Sequence, residues 1–96
     1  MAIEIQYSGG VYEVKGLLNS QNSDSLTNHF ETLMACSKGV VMTLNKVLDI
    51  DQYSVKKIAE LYHKSVAKGQ LFYIIGRENA KVSNQFMELN SDDILL

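Results

Sequence analysis

VVMTLNKVLDIDQYS, residues 40–54, decides how the rest of the chain is organised. Val40 to Leu44 is apolar apart from Thr43, the composition of a central strand covered on both faces. Residues 45–53 then read as a polar, acidic turn, and Tyr53 begins a helix whose apolar stripe is Val55, Ile58, Ala59, Tyr62 and Val66, ended by Lys68-Gly69. Open α/β sheets bind their ligands at such junctions between a strand's carboxyl end and a helix.

Toward the N-terminus, Ile3, Ile5 and Tyr7 alternate with Glu4 and Gln6, and Val11 to Lys15 alternates again after Ser8-Gly9-Gly10. This predicts an antiparallel hairpin closed by Gly16. The polar residues 19–24 offer caps for a helix in which Leu26, Phe30, Leu33 and Met34 recur at helical spacing until Lys38-Gly39. Beyond the central helix, Leu71 to Ile75 predicts another buried strand, Gly76 a turn, and Val82, Phe86 and Leu89 the inner face of a third helix. Residues 91–96 read as a short strand or a packed loop. The order β-β-α-β-α-β-α favours parallel pairing through right-handed crossovers. An α/β fold is expected, with a mixed sheet of about four strands and three or four helices.

A chain of 96 residues forms one domain, 1–96, because two cores of this size could not be sustained. Its 46% hydrophobic and 21% charged residues place it among folding rather than disordered sequences. A net charge of -2 supplies no broad positive field, so nucleic acid is not the expected partner. Apolar runs such as Leu71 to Ile75 are too short to enter a membrane, and MAIEIQYSGG has neither the basic start nor the apolar block of a signal peptide. The cytoplasm is the expected location. Cys36, alone of its kind, excludes an internal disulfide, a CxxC pair and a cysteine-rich zinc site; a small buried residue at a helix end is expected there.

Loops 16–22, 45–53 and 76–79 lack the glycine and lysine spacings that cradle phosphates. His29 and His63 fall on different helices without acidic neighbours at metal-ligand spacing, and no serine sits on a glycine-flanked elbow. Asp49 and Asp51 are a conceivable acid/base pair, but shallow loops offer no cleft to drive their pKa values apart. No catalytic residue, metal or cofactor is expected.

The same stretch resembles the sulfate transporter and anti-sigma factor antagonist (STAS) domain, in which an apolar strand and a short turn precede a hydrophobic residue and Asp-Ser-Ser-Gly at a helix start. Val47 and Ile50 match the apolar loop positions and Asp51 the aspartate. GLLNSQNSDSL (16–26) is similar to the family's first loop and helix, with Gly16, Leu18 and Asn19 at its glycine, leucine and acidic or amide positions. AKGQLFYIIG (67–76) is similar to its Ala-x-Gly turn and following strand. The resemblance spans nearly the whole chain, though each motif is degenerate. It implies a single STAS-like domain that binds a protein partner, such as a kinase-like anti-sigma factor.

In that family the serine after the motif aspartate is often phosphorylated by the partner, which is thereby released. Here Gln52 replaces it, Tyr53 replaces the next serine, and Ser54 stands for the glycine. A phosphate would add about -1.5 to -2 charges, which Gln52 can never acquire, so the resemblance implies a contact surface without the switch. Asp49, Asp51, Gln52, Tyr53, Ser54, Lys56 and Lys57 are the expected contact residues, flanked by Asn19, Ser20, Asn22 and Arg77. Asp49 and Asp51 also suit helix capping, Tyr53 suits equally an interface anchor or a ring folded onto the neighbouring loop, and Ser54 reads as a solvated helical serine. Lys56, Lys57 and Lys64 are expected together on one exposed side, where mixed charge would steer a protein partner. Two alternatives are a small STAS subunit of a bacterial lipid-transport ABC complex and a nucleotide-binding or enzymatic α/β domain. Homo-oligomerisation is compatible with any of them.

Overall fold

The computed structural model describes residues 3–96. β1 (Ile3–Ser8) and β2 (Val11–Leu18) form the expected antiparallel hairpin, with Ser8 opposite Val11 and Ile3 opposite Gly16. Gly9 and Gly10, at φ 58° and 86°, make the two-residue turn; consecutive left-handed residues match the twist of the flanking strands, and glycine adopts them without a Cβ penalty. The chain continues through α1 (Ser23–Ala35), β3 (Gly39–Ile50), α2 (Gln52–Ala67), β4 (Leu71–Ile75) and α3 (Ala80–Glu88), then a 3-10 turn at Asp92–Ile94. Strand order is β1-β2-β3-β4, and both β2 with β3 and β3 with β4 are parallel.

Each parallel step advances in one direction, so right-handed crossovers lay α1 and α2 on the same face of the sheet. Val14, Val40, Met42, Leu44, Phe72 and Ile74 meet Phe30, Ile58, Val82 and Phe86 there in a single core. The expectation of strands covered on both faces is corrected by this topology. Residues of the opposite parity face away from the helices: Leu71 and Tyr73 are 53% and 45% exposed, and Val41 is half-buried.

β3 is twelve residues long and runs straight through the segment expected to be a turn, as β2 runs past Gly16 to Leu18. Two register shifts explain why. Between Glu13 and Lys15, and again between Gly16 and Leu17, β3 carries one residue more than β2, which marks two bulges. Each extra residue rotates the strand, so Leu44, Val47 and Ile50 are all buried at intervals of three. That spacing belongs to neither an ordinary strand nor an ordinary helix. Gly16, at φ 107°, supplies the left-handed backbone opposite the second bulge.

Other details follow the packing. The α2 stripe turns through Ile58, Leu61 and Ser65 rather than out to Val66, which is half exposed; Ser65 is hidden because its hydroxyl donates to the Leu61 carbonyl at 2.8 Å. Cys36 is exposed, since it follows the last residue of α1, and Leu89 is likewise exposed at the end of α3. The tail lies beside β4: Ile94 and Leu95 are buried, Leu95 bridges Ile74 in parallel, and the Leu96 N–H donates to the Ile74 carbonyl at 2.8 Å.

Candidate functional site

Asp51 is the N-cap of α2, with extended backbone at φ −96° and ψ 171°. Its Oδ1 accepts from the Ser54 N–H at 2.9 Å and its Oδ2 from the Ser20 N–H at 3.1 Å, while its own N–H donates to the Leu18 carbonyl at 3.1 Å. One carboxylate therefore satisfies the helix start and fastens it to the loop after β2. Asp49 Oδ1 accepts from the Ile50 N–H at 2.9 Å. Asn22, 4% exposed, accepts from the Asn19 N–H at 3.0 Å and donates to the Leu17 carbonyl at 2.8 Å, which makes it a loop lock rather than a contact residue. Leu17, Leu18, Asn19, Asp49, Ile50 and Asp51 line a shallow cleft of about 170 Å³. Leu17 and Leu48 stand exposed, Leu17 within the cleft and Leu48 at the second bulge just before Asp49, so apolar side chains accompany the carboxylates at this end of the sheet.

Gln52 follows at the first position of α2, and its amide is engaged. Nε2 donates to Gln85 Oε1 at 2.8 Å and to Glu88 Oε2 at 2.7 Å, binding α2 to α3. The Tyr53 hydroxyl donates to Asp24 Oδ1 at 2.9 Å, which ties α2 to α1 and pushes the phenol above its usual pKa. Lys57 Nζ stands 3.6 Å from the same carboxylate oxygen. Ser54 is buried, so the solvated serine expected here is corrected: the third helical position turns inward.

The lysines do not share one side. Lys57 and Lys64 face α1, Lys64 pairing with Glu31 and holding that carboxyl below its usual range, whereas Lys56 is exposed elsewhere on α2. Arg77 is drawn away from the junction, donating to the carbonyls of Leu95 at 2.7 Å and Asp92 at 3.2 Å. Asn19, Ser20, Asp49 and Asp51 thus converge at one place, with Gln52 and Tyr53 on the adjoining turn.

Four partners escaped the sequence reading: Asp24, Gln85, Glu88 and Asn79. Asn79 Oδ1 accepts from the N–H groups of Lys81 and Val82 as the cap of α3. Its Nδ2 donates to the carbonyls of Leu44 at 3.0 Å and Val47 at 2.8 Å, with Asn45 at 3.4 Å. These lie beyond the last β3 residue paired with β4, where the strand edge has lost its neighbour. An asparagine before Ala80 was legible as a cap, but its grip on β3 was not. Gln85 and Glu88 share a helix face at i, i+3 spacing, yet nothing in the sequence directs that face to Gln52.

The clasp makes a prediction. Gln52→Glu exchanges the donor for a carboxylate beside Glu88, and a loss of about 0.5–1.5 kcal/mol in unfolding free energy is expected. Adding Glu88→Gln should recover most of it in urea denaturation. A double variant no more stable than Gln52→Glu would refute the coupling.

No family model matches the sequence, and no curated protein is similar enough to count as a relative. Solved structures match throughout the chain. The anti-sigma factor antagonist SpoIIAA in its unphosphorylated form superposes with a TM-score of 0.73 at 9% identity, covering 99% of this chain and 86% of that one. An anti-sigma factor antagonist from Mycobacterium paratuberculosis gives 0.75 at 19% identity, covering 97% and 80%. RsbS of Moorella thermoacetica gives 0.64 at 14% identity, covering 88% and 75%. The chain has the STAS fold, the architecture that the sequence resemblance implies.

Proposed function

We propose that this chain is a non-catalytic regulator of the anti-sigma factor antagonist kind, which works in the cytosol by binding a kinase-like protein partner and has no serine switch. The observation that carries the reading is Gln52: the residue at the switch position of the motif is unmodifiable and its amide holds Gln85 and Glu88. The structural likeness to antagonists supports the class of role. The contact surface is Asn19, Ser20, Asp49 and Asp51 with the exposed Leu17, Leu48 and Tyr53 around them. Apolar and aromatic groups beside carboxylates suit a partner segment that pairs a basic side chain with an apolar anchor.

Affinity capture from host cells should retain an ATP-binding, kinase-like anti-sigma factor. Leu48→Asp should weaken the purified pair by about tenfold or more, as loss of an interface anchor does. Incubation of that pair with ATP should leave Tyr53 and Ser54 unmodified in mass spectra, since Ser54 has no accessible surface and Asp24 holds the Tyr53 hydroxyl. Stoichiometric phosphate on either residue would overturn the switchless reading. Capture of a membrane ATPase with its permease would replace it by the transport-subunit alternative.

A further inference from the structure

We propose that β1 is a dimerisation edge, along which a second copy of this chain adds its own β1 antiparallel, with Ile5 on the twofold axis. Ser8 and Val11 bracket a two-residue turn and so form a hydrogen-bonded pair, as do Gln6 with Glu13 and Glu4 with Lys15 by alternation. The N–H and C=O groups of Ile3, Ile5 and Tyr7 consequently point away from β2. Among the described residues no strand pairs with that side.

Proteins blunt such edges with proline, bulges or several charges. β1 has no proline, its register with β2 is unbroken, and Glu4 is its one charged residue. The side chains fit a second copy. With Ile5 facing Ile5 of the second copy, Ile3 faces Tyr7, and all three outward residues join a ladder of about six backbone hydrogen bonds. On the other face Glu4 meets Gln6, an acceptor opposite a donor with no like charges in contact. Centring on Glu4 would instead set two carboxylates against each other, and centring on Gln6 would push Ile3 opposite the turn.

Apolar surface lies along the same line. A groove of about 310 Å³ between β1 and α1 is lined by Ile3, Ile5, Ser25, Leu26 and His29. Tyr7, 61% exposed and tilted against Tyr12 with ring centroids 4.6 Å apart, projects from the end of β1 that the antiparallel register brings opposite Ile3. The exposed ring of each copy then covers the groove of the other. This isologous arrangement closes at two copies because each edge is consumed.

Sedimentation velocity of the full chain over about 1 µM to 1 mM should show a concentration-dependent dimer. The amides of Ile3, Ile5 and Tyr7 should exchange more slowly as concentration rises, while those of Glu4 and Gln6, already bonded to β2, should not change. Across the interface Gln6→Glu places like charges opposite each other twice per dimer, in addition to one pair with Glu13 inside each chain, and should weaken the dimer about 2- to 30-fold; Gln6→Lys, opposite Glu4 of the second copy and Glu13 of its own chain, should tighten it by a similar factor. Gln6 is exposed, and circular dichroism melts of dilute samples check that both variants fold. A monomer throughout the range, or a dimer indifferent to both substitutions, would overturn the proposal.

Discussion

Asn79→Ala is expected to lower the unfolding free energy by about 2–4 kcal/mol, combining the loss of a helix cap with carbonyls left unpaired at a strand edge. The side chain holds α3 and β3 at once: Oδ1 meets the Lys81 and Val82 N–H groups, and Nδ2 meets the carbonyls of Leu44 and Val47. Aspartate separates the two duties. As an N-cap it equals asparagine, so capping alone would make Asn79→Asp nearly neutral. Here it removes both donors and sets a carboxylate against carbonyl oxygens, and the loss at neutral pH should match or exceed that of alanine. Urea denaturation of the three proteins decides the matter, since an aspartate variant as stable as the wild type would reduce Asn79 to a cap. The clamp also bears on the candidate site, because it steadies β3 just before its bulged end delivers Asp49 and Asp51.

Ser54→Ala is expected to act in the opposite direction, raising stability by about 1–2 kcal/mol. The Ser54 hydroxyl is buried and finds no hydrogen-bond partner among the described residues, and neither does that of Ser23. Alanine removes an orphaned polar atom, leaves the side chain no larger at this inward position, and suits a helix better. The resemblance places a glycine, another small residue, at this position. With no accessible surface, Ser54 should be silent in partner binding, so Ser54→Ala should stabilise the fold while leaving affinity unchanged. A loss of stability would mean that the hydroxyl has a partner in solution.

Much of the architecture was legible because it rests on local periodicity. The alternation around Ser8-Gly9-Gly10 specified the hairpin, and the order of apolar segments specified parallel strands joined by helices. Asp51 was readable as a cap because capping is a short-range bond between a side chain and the next turn of backbone. The length of β3 was not readable, because two bulges gave Leu44, Val47 and Ile50 a spacing that only pairing with β2 explains. The lysines misled for a related reason: charge on a helix shows in sequence, but which neighbour it faces does not.

By itself the sequence determined the hairpin, the order of strands and helices, the aspartate that starts α2, and the absence of a modifiable side chain at position 52. Those properties are covalent or lie within one turn of helix or one strand repeat, so adjacent residues suffice to decide them. Only the tertiary structure decided what the junction presents: Gln52 bound to α3, Tyr53 to α1, Ser54 inward, Arg77 drawn to the tail, and Leu17 and Leu48 left at the surface. Each outcome depends on how helices separated by tens of residues pack on one face of a bulged sheet. That relation is three-dimensional, and no local pattern encodes it.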